Sequence, residues 1–285
     1  MAARASYVAG FAGTATVLAE KQFGIPIFGT MAHSYIQVHD DESEAFENFA
    51  RARPKNLTLL IDTYDTEVAA HKVVALAPRL RVDGIKIGSV RLDSGDLGSL
   101  ARKVRDILDD GGLSDTAIFA SGGIDEDSIA ALLQSGAPID GFGIGTSLTT
   151  SSDAPALDCA YKLQEYAGTP RRKHSAGKAT WPGRKQVWRS YQDGRMAGDI
   201  LSLDSDVQPG EPLIEPVMRN GRRLKPKPSL DDVRINAVRQ LAQLPEELRQ
   251  LEPGASYQAG IGQLLSDLAA EFDRRLAEHE RVGHA

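Results

Sequence analysis

A single cysteine in 285 residues leaves no partner for an internal disulfide, and no charged segment followed by an apolar one opens the chain. A disulfide framework is excluded, and a reducing cytoplasm is the expected compartment. Long hydrophobic runs are also missing, since the longest fall well short of a membrane span. Basic excess is absent: 33 Lys and Arg against 39 Asp and Glu give a net charge of −6. That balance argues against a nucleic-acid scaffold and confines any basic phosphate site to local clusters such as residues 171–173. No internal repeat or low-complexity tract is present. Neither GxGxxG opening a helix after an early strand nor GxxxxGK[ST] occurs, which weakens the dinucleotide-binding and P-loop readings.

What remains, 41% hydrophobic and 25% charged residues, is the composition of a globular protein with room for one large α/β domain plus appended elements, or two ordinary domains. Short β-prone runs ending in polar or glycine-rich turns predict five strands, at 24–30, 57–65, 84–96, 117–123 and 139–147. Between them "SEAFENFARA", "TEVAAHKVVALA", "LGSLARKVRDILDD" and "DEDSIAALLQSG" carry helical periodicity. Such alternation predicts a parallel sheet with right-handed crossovers, either a barrel or an open doubly wound sheet. Cys159, in the helical-looking "ALDCAYKL", is expected to be a buried structural thiol.

From about residue 165 the chain turns basic and rich in Gly and Pro, then alternates short apolar runs with turns, which predicts a smaller β-rich element. Two helices follow: one opens with Ser229 and Asp232 in capping-box spacing, and "GIGQLLSDLAAEFDRRLAEHE" carries an apolar stripe. The expected divisions are 1–168, 169–228 and 229–285.

Polar residues concentrate at the C-terminal ends of the predicted strands: His33, Asp62, Asp65, Arg91, Asp93, Ser121, Gly122, Gly143, Gly145 and Thr146. In a parallel α/β fold these ends share one face, and that face holds the ligand site. "SGG" at 121–123 and "GFGIGTS" at 141–147 are glycine turns whose backbone N–H groups can cradle a phosphate, or simply allow tight packing. Asp62 and Asp65 of "DTYDT" are either helix caps or ligands for sugar hydroxyls and a hydrated divalent cation. An isolated histidine such as His33 is more often a structural hydrogen-bonding residue than a catalyst. Asp93, Ser94 or Asp96 of "RLDSGD" is expected to cap the next helix.

In order and spacing, "YVAGFAGTATVLAEKQFGIPIFGTMAHSYIQ", "LLIDTYDT", "VRLDSGDL", "FASGGIDEDSI", "GAPIDGFGIGTSLTTSSDAPALDCAYKLQEYAG" and "GKATWPGRKQVWR" resemble nicotinate phosphoribosyltransferases from residue 2 to about 190. The resemblance implies an irregular, incomplete parallel α/β barrel with a sandwich-like β-rich domain and C-terminal helices, usually as a homodimer. It implies phosphoribosyl transfer from phosphoribosyl pyrophosphate to nicotinate, coupled to ATP hydrolysis and requiring Mg2+, in salvage of NAD. His33 matches the family's transiently phosphorylated histidine. Arg91 and Asp93 match a pair near ribose and pyridine, with Asp62 close by. Ser121, Gly122, Gly123, Gly143, Gly145 and Thr146 match the donor's phosphate cradle, and Lys178, Arg184 and Lys185 are further candidates for phosphate contacts. The same resemblance implies an N-terminally truncated member beginning inside the family pattern, so a complementing N-terminal chain is an alternative partner. Where the family commonly reads GTSN, this chain has Gly13, Thr14, Ala15 and Thr16. Transfer to nicotinamide or quinolinate, and a non-catalytic remnant, are the rival readings.

Overall fold

The computed structural model describes residues 1–151, 154–157, 159–252, 254 and 256–283. Residues 152, 153 and 158, inside one stretch of the resemblance, and 253, 255, 284 and 285, inside the expected C-terminal region, lie outside the described residues. Two units emerge, one of residues 1–7 and 11–156, the other of residues 8–10 and 157–285. No helix among the described residues is long and apolar enough to cross a membrane.

The chain opens with α1 (Ala2–Ala9), α2 (Val17–Phe23), α3 (His33–Gln37) and α4 (Glu42–Ala52). Strands and helices then alternate: β1 (Leu57–Leu60), α5 (Thr66–Val82), β2 (Ile87–Leu92), α6 (Leu97–Asp110), β3 (Ala117–Ser121), α7 (Glu126–Gln134), β4 (Gly141–Gly143) and α8 (Thr146–Thr150). The four strands pair in parallel in the order β1-β2-β3-β4. The first unit is therefore mixed α/β about a parallel sheet.

Local chemistry explains the alternation. Each of α5, α6 and α7 starts on an aspartate whose carboxylate accepts a main-chain N–H of the first turn: Asp65 from Val68, Asp96 from Ser99, Asp125 from Ser128. The strands bury one face fully, with Leu59, Val90, Leu92, Ile118 and Ala120 all at 0% exposure, while Thr58, Ser89, Arg91 and Phe119 on the other face are part-buried. Phe46 of α4, Val73 of α5 and Val104 of α6 close over them in one core. Burying each such side chain contributes about 1.5–3 kcal/mol. That burial also carries α5 through Pro78, past the expected end of its pattern. Proline has no N–H for the helical ladder, yet Leu76, Ala77 and Leu80 are buried on either side of it and hold the helix together.

Two expectations are corrected. The strand expected at 24–30 is a single parallel bridge between Thr14 and Ile27. Gly24 is committed to ending α2 in the left-handed conformation, and Pro26 has no N–H to pair, so only Thr14 N to Pro26 O and Phe28 N to Thr14 O form. Cys159 is exposed, in a stretch without helix, instead of buried in one. Its apolar neighbours Leu157, Tyr161 and Leu163 are exposed as well, so the periodic pattern there finds no surface to pack against.

The second unit contains the hairpin β5 (Glu165–Tyr166) with β6 (Thr169–Pro170), followed by β7 (Lys185–Gln192), β8 (Arg195–Leu203), β9 (Glu211–Pro212), β10 (Met218–Arg219) and β11 (Arg222–Arg223). Next come α9 (Leu230–Gln243), a 3-10 turn (Glu246–Arg249), β12 (Ala259–Ile261) and α10 (Gln263–Gly283). The main sheet runs β12-β8-β7-β9. β7 and β8 turn tightly at Asp193 and Gly194, both at positive φ, as a two-residue hairpin requires. Arg189 grips Asp199 across the pair with two 2.8 Å bonds, and Tyr257 donates to the same carboxylate at 2.9 Å. Leu265 and Ala269 of α10 are buried in this unit. The capping box of Ser229 and Asp232 forms at the start of α9.

Candidate active site

The polar residues at the C-terminal strand ends hold one another. Arg91 sits in register between Leu60 of β1 and Phe119 of β3, and its guanidinium is divided among three partners. Nε donates to Ser121 Oγ at 2.7 Å, Nη1 to Thr30 Oγ1 at 3.1 Å, and Nη2 to Asp93 Oδ1 at 2.6 Å. Ser121, itself buried, accepts from Arg91 and donates its own O–H to Asp93 Oδ1 at 2.5 Å. Burial pushes the Asp93 carboxyl up, but the Ser121 and Arg91 hydrogen bonds and the Arg91 charge outweigh it and hold it below the usual carboxylate range.

One loop earlier, the two aspartates that spacing could not separate take different roles. Asp65 caps α5. Asp62 turns inward, and its Oδ2 accepts from Asp93 N at 2.8 Å and Ser94 Oγ at 2.7 Å. Its Oδ1 is buried with no hydrogen-bond partner, in a side chain only 2% exposed. Asp96 is the cap of α6, which leaves Asp93 and Ser94 to the site.

His33, first residue of α3, faces both carboxylates. Its Nε2 lies 3.5 Å from Asp93 Oδ2 and 4.0 Å from Asp62 Oδ1, and its Nδ1 lies 3.1 Å from Thr63 Oγ1. The histidine side chain is 38% exposed, so it meets solvent while its carboxylate neighbours are more enclosed. Histidine 33 is thus reachable by a ligand.

The glycine turns flank this cluster. Gly122 has φ +93°, and a Cβ there would overlap the main-chain oxygen of Asp93, so only glycine lets the two loops touch. Gly123 also has positive φ but faces open space. Ser121 pairs with Gly143 across β3 and β4, which brings the second turn, with Gly145 and Thr146 at the start of α8, to the neighbouring strand end. Lys178, Arg184 and Lys185 belong to the second unit. There Arg184 pairs with Asp204, and Lys185 donates to the carbonyls of Trp181 and Gly183.

Thr30 and Thr63 are the participants that sequence reasoning missed. Both stand within motifs already singled out, "GTMAHS" and "DTYDT"; a hydroxyl beside Asp62 was the available signal for Thr63, and Thr30, between Gly29 and Met31, carried none. For a divalent cation the donor set falls short: among the described residues no group of three or more His, Cys, Asp or Glu is arranged to hold a metal. The unpartnered Asp62 oxygen is one ligand, not a cage.

Comparison with known proteins places the chain in a family. The nicotinate phosphoribosyltransferase (NAPRTase) family model matches residues 3–172, and the model of a nicotinate phosphoribosyltransferase C-terminal domain matches residues 207–269. The nicotinate phosphoribosyltransferase pncB2 of Mycobacterium tuberculosis is 49% identical over 99% of this chain, which spans 59% of that relative's length. The crystal structure of human nicotinic acid phosphoribosyltransferase superposes with a TM-score of 0.78 at 26% identity, over 94% of this chain and 66% of that one. A nicotinate-nucleotide pyrophosphorylase from Pyrococcus furiosus gives 0.70 at 27% identity, over 84% and 61%. Matched by this family's model over residues 3–172 and 49% identical to one of its members, the chain belongs to the nicotinate phosphoribosyltransferase family.

Proposed function

We propose that the chain transfers phosphoribose from phosphoribosyl pyrophosphate to nicotinate, forming nicotinate mononucleotide in NAD salvage, with ATP hydrolysis coupled through His33. The observation that carries this reading is the convergence of His33, Asp62, Asp93 and Arg91, with Asp93 held ionised and Asp62 Oδ1 left unpartnered. As the C1–O bond to pyrophosphate breaks, positive charge develops at the anomeric carbon, and fixed carboxylates nearby stabilise it. The pyridine nitrogen supplies its own lone pair to the new C1–N bond, so no proton is abstracted and no general base is needed. Arg91, fixed at three points, offers a planar cation for the pyridine face or carboxylate. The backbone of residues 121–123 and 143–146 receives the sugar phosphate.

In the coupled step a ring nitrogen of His33 attacks the γ-phosphorus of ATP, ADP leaves with the bonding pair, and water later takes the phosphoryl group as inorganic phosphate. Mg2+ enters on this reading with the phosphates of its substrates and not as a resident ion, consistent with the incomplete donor set. The four-stranded sheet is then part of an irregular barrel, with residues 1–168 as the catalytic portion. The second unit is a sandwich-like domain with C-terminal helices, in which Lys178, Arg184 and Lys185 offer phosphate contacts. The functional assembly is a homodimer, or a complex with a complementing chain, acting in the cytoplasm.

The test supplies the protein with phosphoribosyl pyrophosphate, Mg2+ and each of nicotinate, nicotinamide and quinolinate, with and without ATP. Expected are nicotinate mononucleotide, stimulation by ATP, and acid-labile phosphate on the wild type but not on His33→Ala. Preference for another pyridine, or equal labelling of His33→Ala, overturns the reading.

A further inference from the structure

The two nitrogens of His33 face different chemistry. Nε2 is turned toward two carboxylates, Asp93 Oδ2 at 3.5 Å and Asp62 Oδ1 at 4.0 Å, while Nδ1 meets the hydroxyl of Thr63 at 3.1 Å. Ionised carboxylate oxygens only accept hydrogen bonds, whereas a threonine hydroxyl both donates and accepts. A neutral imidazole has one N–H to place. Putting the bare lone pair of Nε2 against two acceptors would set like charges together and leave Asp93 Oδ2 facing a lone pair at 3.5 Å. With the proton on Nε2 that oxygen gains a donor, and Nδ1 becomes an acceptor that the Thr63 hydroxyl satisfies. Thr63 makes no other side-chain hydrogen bond among the described residues.

We infer that Thr63 is a positioning residue for His33: its hydroxyl donates to Nδ1, fixes the Nε2–H tautomer and prevents the ring from turning over, so that the carboxylate-facing and hydroxyl-facing nitrogens keep their places. The two residues reach each other from different loops, His33 at the start of α3 and Thr63 one residue beyond Asp62, so the contact also sets the ring's distance from the carboxylates. Thr63→Val keeps the size and removes the donor. Thr63→Ser keeps the donor.

The test uses imidazole-15N-labelled protein at pH 8 and two-bond proton–nitrogen correlation spectra, with the His33 signal identified by its loss in His33→Gln. Expected for the wild type is a protonated Nε2 with an unprotonated Nδ1; for Thr63→Val, averaged shifts of mixed tautomers; and for Thr63→Ser, the wild-type pattern. A wild-type spectrum with the proton on Nδ1, or an unchanged tautomer in Thr63→Val, overturns the inference, and the wild-type spectrum judges it even where the valine variant does not fold.

Discussion

At the N-terminal ends of the first unit's strands, polar side chains serve the backbone. Asp140 accepts from Ile118 N at 2.7 Å, Thr116 Oγ1 donates to Ile87 O at 3.3 Å, and Arg105 reaches the carbonyls of Thr116 and Leu113. The ion pair there, Lys86 with Asp115, is exposed on both sides. At the C-terminal ends, side chains serve one another: Arg91 to Ser121, Ser121 to Asp93, Asp93 toward His33. One buried carboxylate oxygen of Asp62 is left over. The difference teaches how the two ends are built: the polar groups named at the N-terminal ends complete the backbone, whereas those at the C-terminal ends bind one another and leave Asp62 Oδ1 without a hydrogen-bond partner among the described residues.

Substitutions at the two ends sharpen that contrast, and the largest effect belongs to Asp93. Asp93→Asn should lower transfer turnover by roughly 10²–10³-fold, because an oriented charge at the reacting centre is removed while the fold survives. A steady-state assay with an intact circular dichroism spectrum checks it, and turnover within threefold of wild type would break the comparison. Next comes Gly122→Ala. The positive φ and the overlap with the Asp93 carbonyl together should cost roughly 3 kcal/mol, against about 1–2 kcal/mol at Gly123, which has positive φ but open space. Urea denaturation of both variants checks the ranking, and equal losses would show that the loops do not press together.

Asp65→Ala, which removes only a cap, should cost about 1 kcal/mol of stability and leave transfer kinetics alone. A turnover defect would mean that Asp65 works beside Asp62. The pH dependence of Asp93 follows from its lowered carboxyl. A depressed native value stabilises the fold above the unfolded value and is lost as pH falls through the native one. The stability gap between wild type and Asp93→Asn should therefore be complete at pH 7, narrow below the ordinary value of 3.8 and close in stronger acid. A gap that widens toward low pH would contradict the assigned contacts. Smallest is Lys86→Ala at the opposite end, where an exposed pair should contribute less than about 0.5 kcal/mol, read by the same denaturation.

Sequence periodicity and end signals made α6 legible over Leu97–Asp110, and the capping box of α9 stood in plain view at Ser229 and Asp232. These are short-range arrangements in which each residue's partner lies within four positions. Asp62, Arg91 and Asp93 were legible as a group because parallel strands carry their C-terminal ends to one face, whereas the strand expected before His33 is a single bridge and α3 brings the histidine to them. What escaped was partner choice across long separations. Nothing local says that Thr30 meets Arg91 across 61 positions or that Thr63 meets His33 across 30. Nor does periodicity reveal whether an apolar stripe finds a surface, which is how Cys159 came to lie exposed.

Asp62 accepts the main-chain N–H of Asp93 and the hydroxyl of Ser94, so the loop after β1 grips the backbone of the loop after β2. The consequence is mechanical. Neither loop can swing outward alone without stripping a side chain that is 2% exposed of its donors, so nanosecond fluctuation of a single loop is damped and the pair opens only as one body, on the slower timescale of concerted motions. On the function proposed above, a substrate held by His33 and Arg91 meets side chains whose conformational entropy was reduced at folding, and less ordering remains to oppose its binding.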